Sequence, residues 1–162
     1  MERKRIRLKG YDYNLPGYYF ITICTKNRQK LLCDIVGTGL PDGPAVHYSQ
    51  YGQIVLTRLE KMTDFYEDIK IDKYVIMPNH VHLLLCILEM PGMRSKISAP
   101  SNAKISRFIG TFKRFCNRDM GQNIWQGRSH DHIVRGEADY RKIWEYIDNN
   151  PARWAEDCFH CI

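Results

Sequence analysis

The stretch Tyr74–Leu85, YVIMPNHVHLLL, constrains the fold more tightly than any other part of the chain. Tyr74–Met77 and Val81–Leu85 are apolar runs, and Pro78-Asn79 forms a tight corner between them. Two such runs on either side of a short Pro-Asn turn read as antiparallel strands. Side chains alternate along a strand, so Val81, Leu83 and Leu85 share one face while His80, His82 and Leu84 share the other. The first face suits a core. The second sets two imidazoles one alternation step apart, which is how a strand offers two donors to a divalent metal. The same pair also fits two hydrogen-bonded histidines on a half-exposed strand, so a third ligand and a reactive group must come from elsewhere.

A helix opening at Gly136-Glu-Ala-Asp and stopped by Pro151 is the second informative stretch. Tyr140, Ile143, Trp144 and Ile147 follow the i, i+3, i+4, i+7 pattern of a buried stripe. Tyr146 falls a quarter turn or more to the side of that stripe, and Asn150 lies one turn below it on the same flank. A boundary tyrosine and a helix-capping Asn give the same pattern. Joined to His80 and His82, the pair takes on another meaning. Two imidazoles and an amide oxygen can hold Mg²⁺ or Mn²⁺ without cancelling its charge, leaving a strong Lewis acid for a phosphate. A tyrosine beside such an ion is a nucleophile for covalent phosphoryl transfer.

The remainder of the chain predicts a frame around these two stretches. Tyr18–Thr25, aromatic and β-branched after Pro16-Gly17, predicts a strand. Residues 34–53, rich in Gly, Pro and Asp, predict a long loop, and Ile54–Ile69 a helix with Ile54, Leu56, Leu59, Met62 and Phe65 inward. The stretch 89–102 reads as a flexible basic loop. Ile105–Arg118 predicts a helix whose stripe is Ile105, Phe108, Ile109, Phe112, Phe115 and Cys116. Its other side carries Lys104, Arg107, Lys113, Arg114 and Arg118, a candidate nucleic-acid surface. A short strand is expected at Ile133–Arg135.

With 162 residues, one domain is expected. No apolar run approaches 18 residues, and Met1-Glu-Arg-Lys-Arg precedes no apolar segment, so neither a membrane span nor a secretory leader is expected. A cytoplasmic protein with reduced thiols is the expectation. Cys158-Phe-His-Cys161 has metal-like spacing but no second pair to complete a site. The net charge of +6 is concentrated at Arg3, Lys4, Arg5, Arg7 and Lys9, directly before Tyr11, Tyr13, Tyr18, Tyr19 and Phe20. Basic beside aromatic residues suits a phosphate backbone with unstacked bases; a solvated tail next to a core strand is the alternative.

MPNHVH followed by YIDNNP, in that order and spacing, resembles the single-strand transposases with a His-hydrophobic-His motif and one catalytic tyrosine, most of all the REP-associated branch. RKRIRLKGYDYNLPGYYFITICTKNR, GQIV, TFKRF, IWQG, DHIVR and YIDNNPARW extend the resemblance over most of the chain. It implies an α+β, ferredoxin-like sandwich, a central antiparallel sheet with helices packed on it. His80, His82 and Asn150 would be the ligands of Mg²⁺ or Mn²⁺, and Tyr146 the nucleophile. The implied reaction nicks and rejoins single-stranded or hairpin DNA through a 5′-phosphotyrosine, in a monomer or a homodimer. Ser129-His130 stands where the family commonly has an aromatic pair, and His130 with His132 reads as hydrogen-bonded rather than as a second metal pair. A non-catalytic nucleic-acid-binding module on the same fold, such as a domesticated repressor, is the alternative. A metal hydrolase using water, with Tyr146 structural, is a third reading.

Overall fold

The computed structural model describes residues 11–37, 41–92 and 103–157. The basic cluster at positions 3–9, most of the 89–102 loop and the Cys158/Cys161 pair lie outside the described residues. Among the described residues, six strands and three α-helices follow in order: β1 (Gly17–Cys24), β2 (Cys33–Val36), β3 (Ala45–Tyr48), α1 (Gln50–Met62), β4 (Ile69–Met77), β5 (His80–Ile87), α2 (Lys104–Met120), β6 (His130–Ile133) and α3 (Gly136–Asn149). The main sheet has the order β4-β5-β1-β6, and every neighbouring pair is antiparallel. β1 and β4 therefore run the same way with β5 between them, and β6 closes the other edge. This is the ferredoxin-like arrangement, an α+β sandwich.

The alternation expected of β5 is observed. Val81, Leu83 and Leu85 join Ile21 and Ile23 of β1 and Ile105, Phe108 and Phe112 of α2 in the main core. On the opposite face Leu84 packs with Ile143 and Ile147 of α3. So α1 and α2 cover one face of the sheet, and α3 covers the other, where the histidines point.

Two expectations change. The segment 34–53 is a hairpin, β2 paired with β3, followed by the first turn of α1. Its alternation spans four residues per strand and is diluted by Gly and Pro, too short to register as a period. α1 begins and ends earlier than Ile54–Ile69, because Ser49 caps it: the Ser49 Oγ accepts from Gly52 N at 3.1 Å and donates to Leu31 O at 2.5 Å. Leu59 and Met62 face inward as expected, but Gly52 and Val55 are buried in place of Ile54 and Leu56, and Phe65 is left 57% exposed. Gly52 is required by close approach, since a Cβ there would sit 2.0 Å from the Leu32 carbonyl oxygen.

Ile69 starts β4 rather than ending a helix, and Asp72 marks a bulge between Ile71 and Lys73 where the register with β5 shifts. The short strand begins at His130, three residues before the expected start. The N-terminal aromatics are mostly structural: Tyr13 and Tyr19 are buried and Tyr11 packs on them edge-on, with ring centroids 5.1 and 6.5 Å away. The Tyr19 hydroxyl donates to Leu15 O at 2.7 Å.

Candidate active site

β5 and the turn before it position the two imidazoles. Met77-Pro78-Asn79-His80 is a two-residue hairpin turn, with Met77 and His80 as its closing pair. Asn79 is fully buried, and its Nδ2 donates to Arg28 O at 3.2 Å, which fixes its Oδ1 toward His80 Nδ1 at 2.8 Å. An amide oxygen can only accept, so His80 carries its proton on Nδ1 and leaves Nε2 with a lone pair. Thr22, directly across on β1, places its Oγ1 2.8 Å from His82 Nδ1. A hydroxyl can donate or accept, so Thr22 accommodates either tautomer of His82. The two Nε2 atoms face each other at 3.0 Å.

α3 brings the other groups over this pair. Ile143 and Ile147 seat the helix on the sheet, which leaves Tyr146 on its flank and 43% exposed. The Tyr146 ring stands edge-on to His82 with centroids 5.3 Å apart and edge-on to Phe20 at 6.0 Å. Asn150, at the end of the helix, is 3% exposed, and its Oδ1 makes no hydrogen bond of regular geometry although its side chain lies close enough to His80 to raise that residue's pKa. Polar contacts fix the helix to β4. Tyr140 donates to the bulge residue Asp72, Lys73 pairs with Asp148 at 2.5 Å, and the Lys73 ammonium lies 4.0 Å from the Trp144 ring centroid. An open cleft of about 520 Å³ runs beside the tyrosine, lined by Lys142, Glu145, Tyr146, Asn149, Asn150, Arg153, Glu156 and Asp157.

Burial dominates the electrostatics. It pushes the His80 pKa down to about 4, against upward pulls from Asp157 and the Asn150 side chain, with Arg28 adding a further downward push. His82 is held well below the usual histidine range, by burial first and by His80 second. Both imidazoles are therefore neutral at neutral pH, the form that binds a metal.

The donor set also fits one. Neighbouring ligands of an octahedral ion with bonds of about 2.1 Å are about 3.0 Å apart, as the two Nε2 atoms are. The buried Asn150 oxygen beside His80 would offer such an ion the hard donor it prefers. Asn79 and Thr22 supply the outer hydrogen bonds that orient metal-binding imidazoles.

No family model matches the chain. Compared with known proteins, it is 32% identical to an uncharacterised protein of Haemophilus influenzae, over 96% of this chain and 91% of the relative. It is 26% identical to the REP-associated tyrosine transposase of Escherichia coli, over 94% of this chain and 73% of that one. The ISDra2 transposase TnpA of Deinococcus radiodurans is also 26% identical, with 87% of each chain covered. A solved structure of a REP-associated tyrosine transposase bound to a REP hairpin superposes with a TM-score of 0.61 at 23% identity, covering 91% of this chain and 74% of that one; it supports the fold. The chain is thus similar to REP-associated and related tyrosine transposases.

The structure brings His80, His82, Tyr146 and Asn150 into one place. It does not bring the basic residues of α2 there, because α2 packs on the opposite face of the sheet. Lys104 pairs with Asp68, and Lys113 donates to Gln126 O at 2.7 Å with burial lowering its pKa to about 8. Those two work inside the fold, whereas Arg107, Arg114 and Arg118 are exposed. His132 is hydrogen-bonded to Asp139 at 2.8 Å, as the reading against a second metal pair expects.

Sequence reasoning missed Thr22, Asn79, Lys142, Arg153 and Asp157. Asn79 had a visible signal, being the residue before the first histidine in a tight turn. Thr22 had none, since it meets His82 only through strand register.

Proposed function

We propose that this protein is a transposase that nicks and rejoins single-stranded DNA, with Tyr146 as the nucleophile and His80, His82 and Asn150 holding Mg²⁺ or Mn²⁺. The observation that carries the reading is the convergence of two anchored, neutral imidazoles, 3.0 Å apart at Nε2, beside the ring of a partly exposed tyrosine. When bound, the ion polarises the scissile phosphate and offsets the charge that builds on its oxygens.

Tyr146 Oη gives up its proton and bonds to phosphorus as the P–O3′ bond breaks. The upstream oxygen leaves as a free 3′-OH, taking up a proton, and the downstream strand is held as a 5′-phosphotyrosine. Attack of a 3′-OH on that ester reverses the step, so rejoining needs no nucleotide cofactor. Phe20 and His82 limit where the phenol can point. Lys142 and Arg153 line the same cleft and supply cations for phosphates on either side of the scissile one. Single-stranded or hairpin DNA suits this cleft, because a helix-borne tyrosine must reach a backbone not buried in a duplex. The solved relative bound to a REP hairpin supports that substrate class. Arg3, Lys4, Arg5, Arg7 and Lys9 enter the proposal as further contacts to DNA, and the exposed arginines of α2 as contacts away from the cleft.

The test uses 5′- and 3′-labelled hairpin oligonucleotides from the repeats flanking the gene, with Mn²⁺ or Mg²⁺, resolved on a denaturing SDS gel. The expected product is a protein–DNA band carrying the 3′ label, absent in Tyr146→Phe and with EDTA. Binding of these oligonucleotides without any such band would favour the non-catalytic binding module. Cleavage that survives Tyr146→Phe would point to a water nucleophile.

A further inference from the structure

The described segment after α3, from Asn150 to Asp157, runs beside the histidines. Past Pro151 the chain turns twice: Arg153 N donates to Asn149 O at 3.1 Å, and Trp154 N to Pro151 O at 3.3 Å. Trp154 is 7% exposed, with its ring centroid 6.2 Å from that of His80 and the Lys30 ammonium 5.7 Å from its own. The short 3₁₀ turn Trp154–Glu156 is closed by Asp157 N donating to Trp154 O at 3.1 Å. This aims the Asp157 side chain back at β5. One ligand atom from each of His80, His82 and Asp157 lies within 4.8 Å of the other two.

We propose that Asp157 is a direct metal ligand, making the centre two imidazoles, one amide oxygen and one carboxylate. The inference rests on the metal-site reading of His80 and His82 given above. Its chemistry has two consequences. A carboxylate is a hard, anionic donor, so it favours Mg²⁺ or Mn²⁺ over softer ions that two imidazoles alone would attract. It also removes one of the ion's two charges, which leaves a net positive centre for a phosphate while tightening the ion's hold before DNA arrives. Trp154 acts as the anchor: its buried ring fixes the turn against His80, so the carboxylate is ordered in advance.

Isothermal titration of DNA-free protein with Mn²⁺ tests this, comparing the wild type with Asp157→Ala, Asp157→Asn and His82→Ala. The expected result is a tenfold or greater loss of affinity in Asp157→Ala and a smaller loss in Asp157→Asn, which keeps one oxygen donor. His82→Ala should lose binding outright. Thermal unfolding in EDTA should be the same for wild type and Asp157→Ala, and the upward shift produced by Mn²⁺ should shrink in the variant. Equal Mn²⁺ affinity in wild type and Asp157→Ala would overturn the assignment and leave the two-histidine site standing. A wild type that binds no Mn²⁺, or binds it as well as His82→Ala does, would overturn the metal site itself.

Discussion

One face of the sheet buries a core of twenty-two residues among those described, from Tyr13 to Trp125, beneath α1 and α2. The other buries Leu84, Ile143 and Ile147, with Phe20, Val75, Val134, Tyr140 and Trp144 partly covered around them. Yet the second face holds the buried polar groups: Thr22, Asn79, His80, His82 and Asn150 are each less than a tenth exposed. The thick face carries the apolar burial that stabilises the fold, because burial free energy scales with apolar area. The thin face pays for its polar groups with hydrogen bonds such as Asn79–His80 and Thr22–His82, and with polar clamps between α3 and β4. A tyrosine helix held this way keeps its position without closing off the cleft beside it.

The largest separation of the two faces is expected from activity. Tyr146→Phe removes only a hydroxyl from a partly exposed side chain, so it should abolish covalent adduct formation, by at least about 10³-fold, while leaving thermal unfolding within about 0.5 kcal/mol of wild type. A nicking rate preserved in this variant would mean the thin face is not the chemical one. The reverse should hold for Phe112→Ala on the thick face. It should cost about 3–5 kcal/mol in urea unfolding. A loss as large from Ile147→Ala would show that the two faces share the stabilising load.

Gly52→Ala is next. The added methyl meets backbone, which cannot rotate away, and the expected cost is about 1–3 kcal/mol. Circular dichroism melts would register it, and an unchanged midpoint would show that α1 can shift off Leu32.

Acid sharpens the contrast further. His80 has a folded pKa near 4, below its ordinary 6.5, so between these values the unfolded chain binds the proton that the folded one refuses. Stability is therefore complete above about pH 6.5 and falls as pH drops toward 4. Mn²⁺ affinity should fall over the same range, since protons compete for Nε2. A urea midpoint that is flat from pH 7 to 4.5 would contradict the buried neutral pair. The smallest effect is expected in hydrogen exchange, where α3 amides should exchange before those of α2.

The order of strand, helix, hairpin, helix, strand and helix was legible from local pattern, as were the two faces of β5. Those signals are periods of two and 3.6 residues, and they persist wherever the run is long enough. They failed at β2 and β3, where four residues cannot establish a period, and at α1, where the Ser49 cap outweighed a rough stripe. His80, His82, Tyr146 and Asn150 were legible as candidates because each belongs to a spaced motif within its own element, and the fold brings the four together. Which groups surround them was not. Thr22 reaches His82 through the register of β1 against β5, sixty residues away, and the Asp72 bulge meets Tyr140 across sixty-eight. The sequence likewise could not say on which side of the sheet the basic face of α2 lies relative to the tyrosine. Sequence alone determined the longer elements and the candidate reactive residues, because periodicity and motif spacing are properties of neighbouring residues. Tertiary structure alone decided what orients those residues and which charges share their cleft, because strand register and the choice of sheet face are set by packing between distant segments.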